Sequence, residues 1–226
     1  MSQPATPLGP IKSPYLRDQA FARVRDAIVS GVLAPGEPIV IDELARTFAL
    51  SSMPVREAVK RLVGDGLVEE LPRRAHRVAP LTRQTALHVL DVMETLMVRA
   101  YELGVPALRP GDVAAMRAAL VMSQARADEG DLVGALAAIH DLHRVVYAAT
   151  ENPEFERALG SIGPRFDRIL YLWYTESIVD VGRSYRTELV SALERGQPDE
   201  AVAIMRAAWA RFRGVVAARD DEGEAA

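Results

Sequence analysis

One stretch of thirteen residues, Ser51-Ser52-Met53-Pro54-Val55-Arg56-Glu57-Ala58-Val59-Lys60-Arg61-Leu62-Val63, constrains the fold of this chain more than any other. Val55, Ala58, Val59 and Leu62 recur at i, i+3, i+4 and i+7, which lays apolar side chains along one helix face. Pro54 falls in the first turn, where its missing N–H has no intrahelical partner to lose, and the Ser51 hydroxyl is placed to cap the helix. Ser52, Arg56 and Lys60 follow one another at intervals of four on a different face, with Met53 beside them. Such a helix is anchored by its aliphatic side and turns a short polar, basic stripe outward.

The flanking residues supply the anchor. Leu16, Ala20, Val24, Ala27 and Ile28 recur at helical spacing between Tyr15 and a stop at Gly31. A turn rich in Pro and Gly leads to a short strand at Ile39 and Val40, and a second helix from Asp42 to Phe48 buries Leu44, Ala45 and Phe48. After Gly64-Asp65-Gly66 ends the basic helix, Leu67 to Leu71 and His76 to Val78 pair as strands around Pro72-Arg73-Arg74-Ala75. Three helices and a basic hairpin are the plan of a winged helix-turn-helix, here spanning 15–80 behind a proline-rich, flexible arm at 1–14.

From Thr82, which is placed to act as a cap, the pattern is helical to the end, with helices expected over 82–104, 111–129, 132–150, 154–178, 181–195 and 198–219. Gly160, Gly163 and Pro164 are expected to break or kink the fourth of these. The expected fold is mainly α: the winged helix-turn-helix, then an all-α antiparallel helical bundle over 82–219, and a disordered acidic tail at 220–226. Hydrophobic residues make up 49% and aromatics only 6%, which suits aliphatic helix packing. The absence of cysteine excludes disulfides, thiol catalysis and Cys-ligated zinc. No apolar run is long enough to span a bilayer and the start lacks the form of a signal peptide, so the expected location is cytoplasmic, with no membrane partner. The net charge of −4 is uneven: residues 1–80 carry 11 Lys and Arg against 9 Asp and Glu, while 81–226 carry 16 against 22. A mildly basic half beside an acidic one fits a nucleic-acid reader joined to a domain with other duties.

The segment PGEPIVIDELARTFALSSMPVREAVKRLVGDGLVEELPRRAHRVAPL resembles the DNA-binding domain of GntR-family regulators, whose pattern is close to PGxxLxExELAxxLGVSRTPVREALxRLxxxGLV. The second half is similar to the helical FCD-type domain of the FadR subgroup, through His143-Arg144, Tyr147-Ala148-Ala149 and Glu151-Asn152-Pro153, which resemble FHRxLxxASGNP. The resemblance implies a transcription regulator that binds a double-stranded DNA operator as a homodimer and answers to a small-molecule effector. Ser51, Ser52, Met53, Arg56 and Lys60 are the expected groove-facing residues, with Arg73, Arg74 and His76 on the wing. The other reading of the stripe is a merely solvated helix face. Ser52 stands where the family commonly has arginine, and Ala75 where it has glycine; Asp42 replaces a DNA-contacting arginine of one member, so that contact is not carried over.

Family members hold a divalent metal with an Asp and a His four residues apart on one helix and a His on each of the last two. The matching positions are Ile139, His143, Arg186 and Ala208. One imidazole does not hold zinc or nickel, so no cofactor is expected; His140 and His143 are what remains for an improvised metal site. The guanidinium of Arg186 is suited to a carboxylate, so a small carboxylate is the expected effector, bound by Arg186 and His143. Alternatively Arg186 pairs with Glu188, Asp141 or Glu94, or faces solvent. Met93 and Met97 replace the family's pocket arginine and nearby glutamate, which makes the pocket more apolar, and Tyr147 and Asn152 complete the expected effector set. Tyr171, Trp173 and Tyr174 line the cavity or belong to the core, and Trp209 is read as packing. A competing class, an enzyme using His140 and His143 as acid and base, lacks a phosphate loop, a GxSxG elbow or an HExxH helix, and no enzymatic activity is expected.

Overall fold

A computed structural model of the chain describes residues 15–173 and 176–219. The expected arm at 1–14, the tail at 220–226 and Tyr174 lie outside the described residues. The chain divides into two compact units with the boundary between Ala79 and Pro80.

The first unit contains α1 (Tyr15–Val29), β1 (Pro38–Ile39), α2 (Ile41–Thr47), α3 (Ser52–Gly64), β2 (Val68–Leu71) and β3 (Ala75–Val78). Val55, Ala58, Val59 and Leu62 of α3 are all at most 1% exposed, against Ala20, Phe21, Val24 and Ile28 of α1. Each such aliphatic burial contributes about 1.5–3 kcal/mol for the larger side chains. Leu16, expected on the buried face of α1, is 46% exposed, and Phe21 takes up that burial instead. In α2 only Ala45 is fully buried, with Leu44 and Phe48 at the edge of the core.

A Schellman turn ends α3. Gly66, at φ +70, donates from its N–H to the Val63 carbonyl, and the Leu67 N–H donates to the Leu62 carbonyl. Leu67 is thereby fixed in the core and the chain enters β2. The strands form a sheet in the order β1-β3-β2, all antiparallel, so the hairpin gains a third strand from Pro38–Ile39, one residue earlier than the sequence suggests.

The second unit is all-helical among the described residues: α4 (Arg83–Gly104), α5 (Pro110–Asp128), α6 (Leu132–Ala149), α7 (Pro153–Leu172), α8 (Glu176–Glu194) and α9 (Pro198–Ala217), with a short 3-10 turn after α4. Thr82 caps α4 in a reciprocal box with Thr85. Three-residue links join α5 to α6 and α8 to α9, which makes each pair antiparallel neighbours. The helix α7 runs unbroken through Gly160, Gly163 and Pro164 and stops at Trp173, so the expected interruption falls at the end of the helix and not at its glycines and proline. Its buried Leu159, Ile162 and Ile169 span the proline, and their packing outweighs the lost backbone hydrogen bond. No helix of the described residues is long and apolar enough to cross a membrane.

Candidate nucleic-acid interface and effector cavity

In the first unit the outward face of α3 carries Ser52, Met53, Arg56 and Lys60. Met53 is 65% exposed, and Arg56 and Lys60 are exposed. The other cations nearby are engaged: Arg17 meets Glu57 at 3.4 Å, and Arg61 meets Asp18 at 3.6 Å while covering the Phe21 ring at 3.8 Å. Among the described residues neither Arg56 nor Lys60 has an ion pair. The fold therefore uses Arg61 to tie α3 to α1 and leaves two cations for something else.

Two details of this surface differ from the sequence reading. Ser51 occupies the position before α3 in extended conformation, but its hydroxyl makes no capping bond, so the first-turn N–H groups of α3 lack a side-chain partner. The Ser52 hydroxyl donates to Asp42 Oδ1 at 2.6 Å, which binds the first stripe residue to α2.

At the tip of the hairpin, Arg73 and Arg74 are exposed and both adopt left-handed backbone, with φ of +64 and +60. His76 lies further in. It pairs with Glu70 on one side and Ile39 on the other and shares the sheet face of Val78, half-buried. Arg77, on the opposite face, pairs with Glu69 at 2.8 Å.

In the second unit a cavity with ≈ 770 Å³ of empty space, open mouth included, lies among α5, α6, α7, α8 and α9. Leu120, Leu136, Ile139, Leu170 and Phe212 form apolar walls, while Ser123, Gln124, Tyr171, Arg183 and Arg186 supply polar groups. Of the expected effector residues the cavity gathers Arg186 alone, together with the suggested aromatic Tyr171. Met93 is buried in the core, as is Trp173, and Asn152 is exposed, its side chain accepting from the Glu154 N–H to cap α7. The Tyr147 hydroxyl lies against Met97 Sδ. Trp209 is 4% exposed and packs on Phe166 and Phe212.

His143 is 5% exposed and has both ring nitrogens occupied, Nδ1 by the Tyr101 hydroxyl at 2.6 Å and Nε2 by the Tyr185 hydroxyl at 3.2 Å. A neutral imidazole offers one donor and one acceptor, so one tyrosine donates to it and the other accepts from it. Burial, then the nearby Arg186 and His140 charges, lower its pKa to about 3. Sequence reading missed both tyrosines. The spacing of Met93, Met97 and Tyr101, each one turn apart on α4, signalled that Tyr101 shares their face, but neither tyrosine's bond to His143 was legible, because each spans 42 residues.

His140 is half-exposed and meets the buried Asp167 at 3.0 Å. That bond outweighs the opposing effect of burial and raises its pKa. The acids offered as partners for Arg186 are engaged elsewhere: Glu188 with Ser184, Asp141 with Arg144, and Glu94 with Arg213. Ile139 and Ala208, at positions matching metal ligands, offer no donor, and no cluster of three metal-ligating side chains occurs among the described residues. The residues here do not fit the metal that the fold family implies.

Comparison with known proteins agrees with this architecture. Residues 16–78 match the family model described as bacterial regulatory proteins, gntR family, and residues 88–211 match the FCD domain. A probable D-xylose utilization operon transcriptional repressor from Paenarthrobacter nicotinovorans is 29% identical over 196 residues, covering 81% of this chain and 82% of that protein. The HTH-type transcriptional regulator McbR of Escherichia coli is 27% identical over 124 residues, 55% of this chain and 56% of that protein. The solved structure of E. coli McbR/YncC superposes with a TM-score of 0.75 at 20% identity, covering 92% of this chain and 98% of that one. A putative GntR transcriptional regulator from Rhodococcus sp. RHA1 gives 0.74 at 18% identity, covering 90% and 99%.

Proposed function

This chain belongs to the gntR family of bacterial regulatory proteins, as a DNA-binding transcription regulator with an FCD domain, and on that premise we propose that it acts on its operator as a homodimer controlled by a small carboxylate. The observation that carries the DNA half is the pair Arg56 and Lys60. Both are exposed and without an ion pair among the described residues, on a helix whose opposite side is fully buried. A helix held in this way enters the major groove, where an arginine reads guanine through two hydrogen bonds. Met53 adds an apolar contact, Ser51 and the open first turn of α3 face phosphate, and Arg73 and Arg74 reach the backbone or minor groove beside it. The Ser52 hydroxyl, bonded to Asp42, is held for a short-range contact, and His76 supports the hairpin more than it extends it.

One winged domain contacts too few base pairs for gene-level selectivity, so two copies on a palindrome are expected. The carboxylate half rests on Arg186, a cavity-lining guanidinium whose candidate acidic partners are all bonded elsewhere. A DNA target places the work in the cytoplasm, and no reaction is assigned to His140 or His143, which serve as a paired and a bridging side chain.

A gel shift on the DNA upstream of the protein's own gene, at two salt concentrations, tests the proposal. Affinity is expected to fall steeply with salt as phosphate contacts release counterions. Arg56→Ala is expected to cost about 1–3 kcal/mol of sequence discrimination and Lys60→Ala to lower the salt slope by about one. Undiminished operator affinity in Arg56→Ala, with helical content unchanged, rejects α3 as the reading helix.

A further inference from the structure

The composition of the helical cavity narrows its ligand further than the word carboxylate does. Its walls are hydrocarbon, from Leu120, Leu136, Ile139, Leu170 and Phe212, and no acidic side chain lines it among the described residues. Two cations line it. Arg183 is exposed and meets Asp128 at 3.6 Å, whereas Arg186 has no carboxylate partner among the described residues. A polyhydroxylated ligand would lose its hydration with only Ser123, Gln124 and Tyr171 as uncharged side-chain partners. A second carboxylate on the ligand, once the first had taken Arg186, would have to draw the exposed Arg183 from Asp128 or lie against leucine.

The anchor is held in place before any ligand arrives. The Arg186 guanidinium lies 5.3 Å from the Tyr185 ring centroid and folds over Gly182, where a Cβ would come within 3.0 Å of its Nη2. Tyr185 is held in turn by His143, and His143 by Tyr101. With both its nitrogens taken, His143 is a positioning residue and has no lone pair to spare for a metal. Resting on the reading of this cavity as the effector site, we infer that its ligand is a monocarboxylate with an aliphatic tail, bound without a metal, its carboxylate on Arg186 and its chain along the leucine walls.

Titration calorimetry of the full-length protein with hexanoate, octanoate, succinate and octanol, each with and without EDTA, tests this. Octanoate is expected to bind, with affinity rising about three- to fourfold per methylene from hexanoate, and EDTA to change nothing. Arg186→Met is expected to weaken octanoate at least tenfold, and Arg186→Lys, which keeps the charge but loses the fork, to weaken it less; Arg183→Met is expected to have little effect. Circular dichroism establishes that each variant is folded, and the lysine variant decides the matter if the methionine variant is not. Succinate binding more tightly than octanoate, in an Arg186-dependent manner, overturns the aliphatic tail and leaves the carboxylate reading standing. Loss of binding in EDTA overturns the metal-free site. Octanol binding as well as octanoate, no binding by any of the acids, or full affinity in both Arg186 variants overturns the inference and the carboxylate reading together.

Discussion

Arg73 and Arg74 are held in left-handed backbone, which suits glycine and costs other residues about 1 kcal/mol each. Their side chains are exposed, so the folded protein alone gains little from them. Replacing Arg73 by glycine is expected to stabilise the winged unit by up to about 1 kcal/mol in urea denaturation. The same change is expected to weaken operator binding and reduce its salt slope by about one. A destabilised variant would show that the turn is not strained. His143 offers a second residue-level prediction. Its pKa is about 3 in the fold and its ordinary value is 6.5, so between these the unfolded chain takes up a proton that the folded chain refuses. Its contribution is therefore complete above pH 6.5 and is lost as pH falls toward 3, at up to about 1.4 kcal/mol per pH unit. Arg186 and His140 face it with positive charge, Tyr101 and Tyr185 with hydroxyls. His140, raised by Asp167, works in the opposite sense: its contribution is present at low pH and lost as pH rises through its folded value. Stability measured from pH 4 to 8 is expected to vary less with pH on the acid side in His143→Gln, whereas His140→Gln is expected to lower stability evenly below pH 6.5 and to lose the decline above it; parallel curves for the wild type and His143→Gln would refute the buried neutral bridge.

Among the elements, α4 and α6 come close at Gly104. A Cβ on Gly104 would lie 2.3 Å from the Val146 carbonyl oxygen, and backbone does not yield as a side chain does. Gly104→Ala is expected to destabilise by about 1–3 kcal/mol through overpacking. Gly214, within α9, faces open space where a methyl group would stand, with nothing within 4 Å, so Gly214→Ala is expected to stabilise by up to about 1 kcal/mol. Opposite signs for one chemical change, read as shifts of the thermal midpoint, check the helix crossing directly. The helix α7 makes a related point. Local propensity marks Pro164 as a break, yet the apolar residues on either side of it pack into the same core and carry the helix through.

At the scale of the molecule, the two units have separate cores, one running from Ala20 to Val78 and the other from Leu81 to Val216. Both tryptophans, Trp173 and Trp209, belong to the second, so fluorescence excited selectively at tryptophan reports that unit alone. Leu62 is 0% exposed in the first core, and Leu62→Ala is expected to cost about 2.7–5 kcal/mol there. Operator binding should be lost while the tryptophan transition in urea keeps its midpoint. A fluorescence midpoint that moves with the mutation would mean that the units unfold as one.

Periodicity and turn chemistry are local properties, and they made α3, the hairpin after Gly66, the basic stripe and the helical second half readable from residues near one another in the chain. Motif spacing in the same segments carried the family resemblance. The effector cavity was legible only in part: Arg186 stood out as a charge at an odd position, but Met93, His143, Tyr147 and Asn152 do not line the cavity with it. Their surroundings depend on which helices cross, and at what height, between segments tens of residues apart. That tertiary arrangement decided that Tyr101 and Tyr185 close on His143, that Glu94 is bonded to Arg213, and that α7 passes through its proline. Helical spacing specifies which face of a helix is buried; only packing against the neighbouring helices specifies what that face meets.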